Sequence, residues 1–448
     1  MKRLEIRTQK PVTQSKLQIS GHFLATQPKT LLPRTARFSA EGRRIAELAA
    51  QPALLDAQRW FTRERAWINE RHLQLCRIPA PTFFEQKRAE WFRGQLEALG
   101  WEAKLDRAGN VLAILAGDEQ RRRFVVSAHL DTVFAPSRPE EVYYGPDGRL
   151  FGPGVSDNGS GLTALLTLAR VLEEIPALRE LASSLLLVAN VGEEGEGNLS
   201  GMRYLCQSAQ LARAGAFLVL DGPSTEHITS QALASRRFEI SFSGPGGHSW
   251  NDYGLPNPVH AISDAVSFFV QAAESRAGAE RKGRCSYNFG ILEGGSSINS
   301  IPSSARAKLD LRSEEPAVLD ELSALLTSAV ERSLERENRP ARAIRLTARI
   351  KELGSRPGGK LPEPSQLLRI VQGVDAYLNI RSQADCASTD ANVPLSMGLE
   401  AVSIGAGGQG GGAHTSQEWY QPDGRELGLR RILLALAALA EGDRLFGE

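Results

Sequence analysis

The chain has 448 residues, more than one hydrophobic core normally holds, so its length predicts two domains. Hydrophobic residues make up 42% and charged residues 23%, which is typical of globular proteins and excludes a disordered or fibrous chain. Lys and Arg number 53 against 52 Asp and Glu, so the chain lacks the net charge that draws proteins to nucleic acid or anionic membranes. We therefore expect a small solute as partner.

The amino-terminal segment, residues 1–45, is basic and has no clear amphipathic period. We interpret it as a flexible tail, because it also lacks the apolar stretch of a secretory signal. No run in the chain reaches the roughly 20 apolar residues of a membrane span. The four cysteines lie far apart without a CxxC pair, which favours a reducing cytoplasm over a disulfide framework.

Residues 46–232 are predicted to form the first part of an α/β domain. Thr82-Phe83-Phe84-Glu85 has the pattern of a capping box that opens a helix, and Gly100 predicts its end. Apolar runs of strand length then alternate with helical segments. The predicted strands are NVLAILAG, RRFVVSAHLDT, SSLLLVANVGEE and GAFLVLDG, and the helix among them is GLTALLTLARVLEE. This alternation predicts a mostly covered α/β sheet.

Residues 233–352 change character and predict an inserted α+β domain. RRFEISFSG and SSARAKLDLRS alternate polar and apolar positions, while helices are predicted from His260 towards Ala279 and from Ala317 to Arg336. The Gly- and Pro-rich segment GSRPGGKLPEP is typical of a return linker. Residues 353–448 are then predicted to complete the first domain.

Acidic residues and histidines follow the apolar strands, at the ends where open α/β sheets place their binding crevice. They occur in SAHLDT, GVSDNGSG, NVGEEGEG, FLVLDG and GGGAHTS. The candidate residues are His129, Asp131, Asp157, Glu193, Glu194, Asp221 and His414. Two histidines and three carboxylates suit a pair of zinc ions that share one carboxylate, and they leave Asp131 and Glu193 for orienting and proton-transfer roles.

Plainer interpretations remain open for several of these residues. Asp157 could merely cap the following helix, and Asp221 could be a turn residue before Gly222-Pro223. The glycines from Gly405 to Gly412 could suggest a phosphate cradle, but no Lys-Ser/Thr pair follows them. No G-x-S-x-G elbow occurs, which disfavours a serine hydrolase. The histidines outside any cluster are interpreted as ordinary: His22, His72, His227 and His260.

From about Ile68 to the carboxyl terminus, HLDT, GVSDNGSG, GEEGEG, LDG, GGHS and GGAHTS occur in order. Together they resemble the cocatalytic zinc peptidase family that includes glutamate carboxypeptidase, peptidase T, succinyl-diaminopimelate desuccinylase and aminoacylase. The resemblance implies a mixed-sheet α/β catalytic domain with an inserted α+β lid and dimerisation domain. It also implies two Zn²⁺, with Co²⁺ or Mn²⁺ as substitutes, held by these residues: His129 and Asp221 on one ion, Glu194 and His414 on the other, and Asp157 between them.

The same resemblance assigns roles to further residues. It implies that Asp131 orients the zinc-binding histidine, that Glu193 is the general base, and that the peptide bond after Asp157 is cis. His248, in GPGGHSW, would stabilise the oxyanion, often in the active site of the opposite subunit of a homodimer. The positions implied to hold the substrate are Asn299 and Arg312.

The activity implied is zinc-dependent cleavage of amide bonds in small peptides, as in a di- or tripeptidase. A deacylase of N-acyl amino acids is the main alternative, and a binding module that has lost its metal is a distant one. Asp rather than Glu at position 221 favours a peptidase. Every implied ligand is present, so nothing in the sequence supports loss of activity.

Overall fold

The computed structural model of the chain describes residues 40–115, 123–208, 214–276, 283–339 and 344–446. Residues 1–39 of the predicted basic tail lie outside the described residues. Residues 40–45 belong to the first helix. The end of the helix predicted towards Ala279 also lies outside them, and the helix is described as far as Arg276.

The helices occur where apolar residues recur at helical spacing, and most of them cover the main sheet. They are α1 Ala40–Ala49, α2 Pro52–Arg63, α3 Arg65–Cys76, α4 Gln86–Ala98, α5 Gly159–Glu174, α6 Arg179–Ser183, α7 Ser200–Gln207, α8 Pro258–Arg276, α9 Pro316–Asn338, α10 Gln366–Leu378, α11 Asn392–Ser396 and α12 Arg425–Phe446.

The strands of the first half are β1 Glu102–Leu105, β2 Val111–Ile114, β3 Arg123–His129, β4 Tyr143–Tyr144, β5 Leu150–Phe151, β6 Leu185–Asn190, β7 Ala214–Leu220, β8 His227–Ala232 and β9 Ala234–Ser243. Those of the second half are β10 Gly247–His248, β11 Cys285–Gly294, β12 Ser300–Ile301, β13 Ser304–Ser313, β14 Thr347–Arg356, β15 Gly359–Lys360, β16 Gln383–Ala387, β17 Ala401–Ile404, β18 Gln409–Gly411 and β19 Trp419–Gln421.

The main sheet is mixed, as predicted. Within the described residues it has nine strands in the order β1-β2-β6-β3-β7-β17-β8-β15, with β16 paired to β8. Its centre, β6-β3-β7-β17, is parallel, while β2 and β8 run antiparallel to it. Every residue of β6 is buried, which explains why its sequence is a continuous apolar run. The carboxyl ends of the central strands therefore meet at one edge.

A second sheet belongs to the inserted domain and has its own core. Its strands lie in the antiparallel order β11-β13-β9-β14, and α8 and α9 pack on one face. Alternate side chains of β13 are buried, which accounts for the period of two in SSARAKLDLRS. Phe242, Phe269 and Leu311 lie in this core, separate from the core around the main sheet. The predicted α+β insertion is confirmed.

The predicted capping box at Thr82 is wrong. Helix α4 begins at Gln86, and Glu85 makes no side-chain cap to it. The Thr82 hydroxyl donates instead to Oδ2 of Asp131 (3.0 Å), and Oε1 of Glu85 accepts from the N–H groups of Phe83 (3.0 Å) and Gly192 (3.2 Å). Tertiary partners thus replace the local cap, and they tie this loop to the strand ends.

Among the described residues, no helix combines the length and the apolar character needed to cross a membrane.

Candidate metal centre

Four of the predicted site residues lie at the carboxyl edge of the parallel strands. His129 is the last residue of β3, and Asp221 directly follows β7. Glu193 and Glu194 follow β6, just after Asn190. Because these strands run in the same direction, residues far apart in sequence share one crevice.

Asp157 lies between the two histidines and contacts both. Nε2 of His129 is 3.1 Å from Oδ1 of Asp157, and Nε2 of His414 is 3.2 Å from Oδ2 of the same carboxylate. Nε2 of His129 is also 4.0 Å from Oδ1 of Asp221, and Nε2 of His414 is 2.9 Å from Oε1 of Glu194. The five residues predicted to bind metal therefore converge as two triads that share one carboxylate.

The backbone of Asp157 is held by Glu418, which the sequence analysis missed. Oε1 of Glu418 accepts the N–H groups of Ser156 (2.8 Å) and Asp157 (2.9 Å), and Oε2 accepts that of Gly154 (2.7 Å). Burial raises the pKa of Glu418 to about 7. No apolar strand precedes Glu418 in the sequence, so the pattern used to find the other residues does not include it.

The segment after Asp157 confirms one detail and excludes another. The Asp157–Asn158 peptide bond is cis, as the family resemblance implied. Helix α5 is capped by Asn158, whose Oδ1 accepts the N–H of Gly161 (3.0 Å), so the alternative that Asp157 caps this helix is wrong. A Cβ at Gly161 would lie 2.3 Å from that oxygen, which explains why glycine stands there.

Asp131 orients three groups at once. Its backbone oxygen lies 2.9 Å from Nδ1 of His129. Its Oδ1 accepts the N–H of Glu193 (3.0 Å), and its Oδ2 accepts the N–H of Glu194 (2.8 Å). The buried Asp131 thus holds a histidine through its backbone oxygen, and through its carboxylate it holds the backbone of two acidic residues that follow a neighbouring strand.

Glu193 is buried beside Arg356, a second residue that the sequence analysis missed. Nη1 of Arg356 donates to Oε1 of Glu193 (2.8 Å), and Nη2 donates to the Glu193 backbone oxygen. Nη1 also donates to Oγ of Ser388 (3.0 Å). Burial raises the pKa of Glu193 well above its ordinary value, and the Arg356 charge opposes that effect.

The electrostatics of the cluster favour bound positive charge. Hydrogen bonds to the neighbouring carboxylates, Asp157 first, raise the pKa of His414 to about 10. Burial opposes a charge on His129, but the carboxylates outweigh burial and raise its pKa well above the ordinary value. Burial and the charge of Asp157 raise the pKa of Asp221 to about 7. The raised pKa values of His129, His414 and Asp221 show that these three groups hold a proton more firmly than usual. A donor set of imidazoles and carboxylates is chemically suited to divalent cations.

A cavity of about 520 Å³ opens beside the cluster. Arg312 lines it, as do Arg237 and Arg356. Among the described residues that line this cavity, His248 and Asn299 are absent. Both side chains are exposed. His248 lies in the short β10–β12 ladder of the inserted domain, and Asn299 directly precedes β12. The structure therefore brings Arg312 to the cavity that the cluster lines, and it places His248 and Asn299 elsewhere on the chain.

The sequence matches two peptidase models over overlapping segments. Residues 110–242 match the model of Peptidase family M28, and residues 234–338 match the Peptidase dimerisation domain. A probable carboxypeptidase of Paracoccidioides lutzii is 25% identical over 207 residues, 43% of this chain and 45% of the relative. Succinyl-diaminopimelate desuccinylase of Psychromonas ingrahamii is 24% identical over 330 residues, 70% of this chain and 83% of the relative.

Solved structures share the fold over most of the chain at low sequence identity. A tripeptidase of Staphylococcus aureus has a TM-score of 0.67 and 18% identity, covering 84% of this chain and 98% of that one. A dinuclear metal binding peptidase of Bacillus subtilis has a TM-score of 0.61 and 13% identity, covering 84% and 98%. By sequence, the chain spans about half the length of several curated relatives, the carboxypeptidases among them.

Proposed function

We infer that this chain, which joins a Peptidase family M28 segment to a peptidase dimerisation domain, is a metal-dependent hydrolase that cleaves amide bonds of small peptides. One observation carries the inference: the two oxygens of Asp157 face two different histidines, at 3.1 Å from His129 and 3.2 Å from His414. This arrangement fits a carboxylate shared by two metal ions. Helix capping does not require it, and Asn158 already provides the cap.

We propose zinc as the metal, bound as two ions. His129 and Asp221 would hold one ion, Glu194 and His414 the other, and Asp157 both. Imidazole and carboxylate ligands also accept Co²⁺ and Mn²⁺, so the ligand set fits those ions too. When bound, such a pair of ions would polarise the scissile carbonyl and lower the pKa of the attacking water.

In the proposed mechanism Glu193 is the general base. It takes the proton of the attacking water and passes it to the leaving amine nitrogen. Arg356 holds the Glu193 carboxylate in place through the 2.8 Å contact, and Asp131 fixes the Glu193 backbone. Asp131 also orients His129 through its backbone oxygen, so a single buried residue positions both the base and a metal ligand.

We propose that substrate binding needs two subunits. Arg312 lines the cavity of its own chain and suits a substrate carboxylate. His248 and Asn299 lie next to each other, since the N–H of Ser249 donates to the Asn299 backbone oxygen (3.0 Å). Both residues are exposed and lie outside the cavity of their own chain. Their predicted roles therefore require a homodimer, in which this part of the inserted domain reaches the active site of the partner subunit.

The proposed domains are residues 46–232 and 353–448 for catalysis and 233–352 for lid and dimerisation. We propose the cytoplasm as the location, because all four cysteines, which the structure describes, are free thiols that a reducing compartment preserves. A deacylase of acyl amino acids is the second candidate, favoured by the desuccinylase relative, of which 83% is covered.

The test is a substrate screen with protein reconstituted with Zn²⁺, Co²⁺ or Mn²⁺. Free and N-acylated dipeptides and tripeptides would be compared, with product amines detected by chromatography. Cleavage of free peptides, abolished by a chelator and restored by metal, supports the peptidase. Cleavage confined to acylated amino acids supports the deacylase, and chelator-insensitive cleavage or none contradicts both.

A further inference from the structure

The cavity beside the metal cluster extends sideways across the main sheet along a row of polar side chains. In the strand registers, Ser403 of β17 is opposite Thr229 of β8, and Thr229 is opposite Asp385 of β16. Residues directly opposite each other point to the same face, and all three line the cavity. We call these three residues the polar row.

The polar row leads away from the metal cluster. Ser403 is opposite Val219 of β7, two residues before Asp221, so the row begins beside that site residue. From β7 to β16 there are three strand spacings of ~4.8 Å, about 14 Å in all. An extended peptide covers ~3.3–3.6 Å per residue, so this distance exceeds the length of a dipeptide.

The far end of the row has an excess of hydrogen-bond acceptors. Oδ2 of Asp385 lies 2.9 Å from Nδ1 of His227, and Oδ1 accepts the hydroxyl of Thr229 (2.8 Å). Each carboxylate oxygen keeps a lone pair free, and with Nδ1 as donor the Nε2 of His227 is an acceptor as well. The side chains of Asp385 and His227 are 33% and 51% exposed, so a ligand can reach them.

Within the described ranges, no Lys or Arg forms an ion pair with Asp385. Arg431, which contacts the β8 backbone at the oxygen of His227 (3.4 Å), is neutralised by the buried Asp375. Lys360, opposite Gln231 of β8, is paired with Glu315. The Asp385 charge is therefore available to the cavity. A hydroxyl and an imidazole fix its orientation, which is the arrangement of a preorganised cation receptor.

We propose that Asp385, with His227 and Thr229, is a subsite for a positively charged group of the substrate, remote from the bond that is cleaved. The group is either the α-ammonium of a peptide longer than a dipeptide or the end of a basic side chain. This inference rests on the proposed function, and it deepens it by naming the substrate class: cationic peptides rather than neutral or anionic acyl amino acids.

The experiment compares the metal-loaded wild-type protein with Asp385→Asn on two pairs of substrates. In one pair a tripeptide has lysine or the uncharged norleucine at its first position. The other pair consists of a tripeptide with a free α-ammonium and its desamino analogue, which lacks that group. Asp264→Asn is the control, because Asp264 is a half-buried carboxylate with one ion-pair partner, Arg336, in the helices of the inserted domain.

The wild-type protein is expected to prefer the cationic member of at least one pair. Asp385→Asn should raise KM for that member by about tenfold at nearly unchanged kcat, as expected for the loss of one charge-assisted hydrogen bond. The KM of the neutral member should not change. The pair that responds identifies the charged group. Asp264→Asn should change neither pair.

Equal changes in KM for the two members of both pairs, accompanied by a lower melting temperature, would mean that Asp385 only supports the β8–β16 pairing, and would overturn the subsite. The absence of any preference in the wild-type protein would overturn it too, while metal-dependent cleavage of the neutral members would leave the proposed function standing. If the loaded wild-type protein cleaves no member of either pair, the peptidase function and the subsite both fail.

Discussion

Glu418 accepts the backbone N–H of Asp157 at 2.9 Å, and with its other oxygen it accepts that of Gly154 at 2.7 Å. The glutamate thus holds the loop that presents the shared carboxylate to both histidines. Groups that position a ligand in this way typically contribute about 10- to 100-fold to metal affinity or activity.

Glu418→Gln is expected to weaken metal binding by at least about tenfold, because one acceptor oxygen becomes an amide that faces backbone donors. Calorimetric titration of Zn²⁺ into metal-free protein measures the effect. Glu400→Gln is the matched control, since Glu400 accepts the N–H groups of Gln366 (2.7 Å) and Leu367 (3.2 Å) away from the cavity. Equal metal affinity in both variants would refute the role of Glu418.

Glu193→Gln should lower kcat by about 10²- to 10⁴-fold while both metal ions remain bound. The amide keeps the shape of the side chain and can still accept from Arg356, but it cannot take a proton from water. Steady-state kinetics combined with elemental analysis of the same preparation separate the two effects. Turnover close to that of the wild type would remove Glu193 as general base.

Arg431 and Asp375 form a buried ion pair between α10 and α12, with Nη2 and Oδ2 2.6 Å apart. Asp375→Ala should destabilise the fold by about 3–5 kcal/mol, because it leaves a buried guanidinium without its partner. Urea unfolding measures the change in the free energy of unfolding. Asp56→Ala is the control, because it removes an exposed ion pair with Arg59 and should lower that free energy by less than about 1 kcal/mol. A similar small change in both variants would contradict this account of the pair.

The sequence is most informative where burial dictates it. The continuous apolar run of β6 predicts a strand that is buried on both faces. The polar-apolar alternation of β13 predicts a strand that is buried on one face. His129, Glu194 and Asp221 could be predicted from strand ends, since parallel strands end at one edge. Asp157 and His414 follow strands of a different sheet, and the motif resemblance identified them.

Other parts of the site have no local signature. Arg356 contacts Glu193 across 163 positions, and His227 meets Asp385 across 158, so neither partner can be read from its neighbours in sequence. Thr82 fits a capping pattern, yet its hydroxyl bonds to Asp131, because a tertiary acceptor replaces the local one. These residues become visible only when the chain folds.

The most direct test of the account is the number of metal ions per chain. Protein saturated with Zn²⁺, desalted and assayed by elemental analysis should contain two ions, and Asp157→Ala should contain fewer than one, because both ions lose a ligand. Two ions retained by Asp157→Ala, or full activity of the wild type with none, would contradict the shared-carboxylate site.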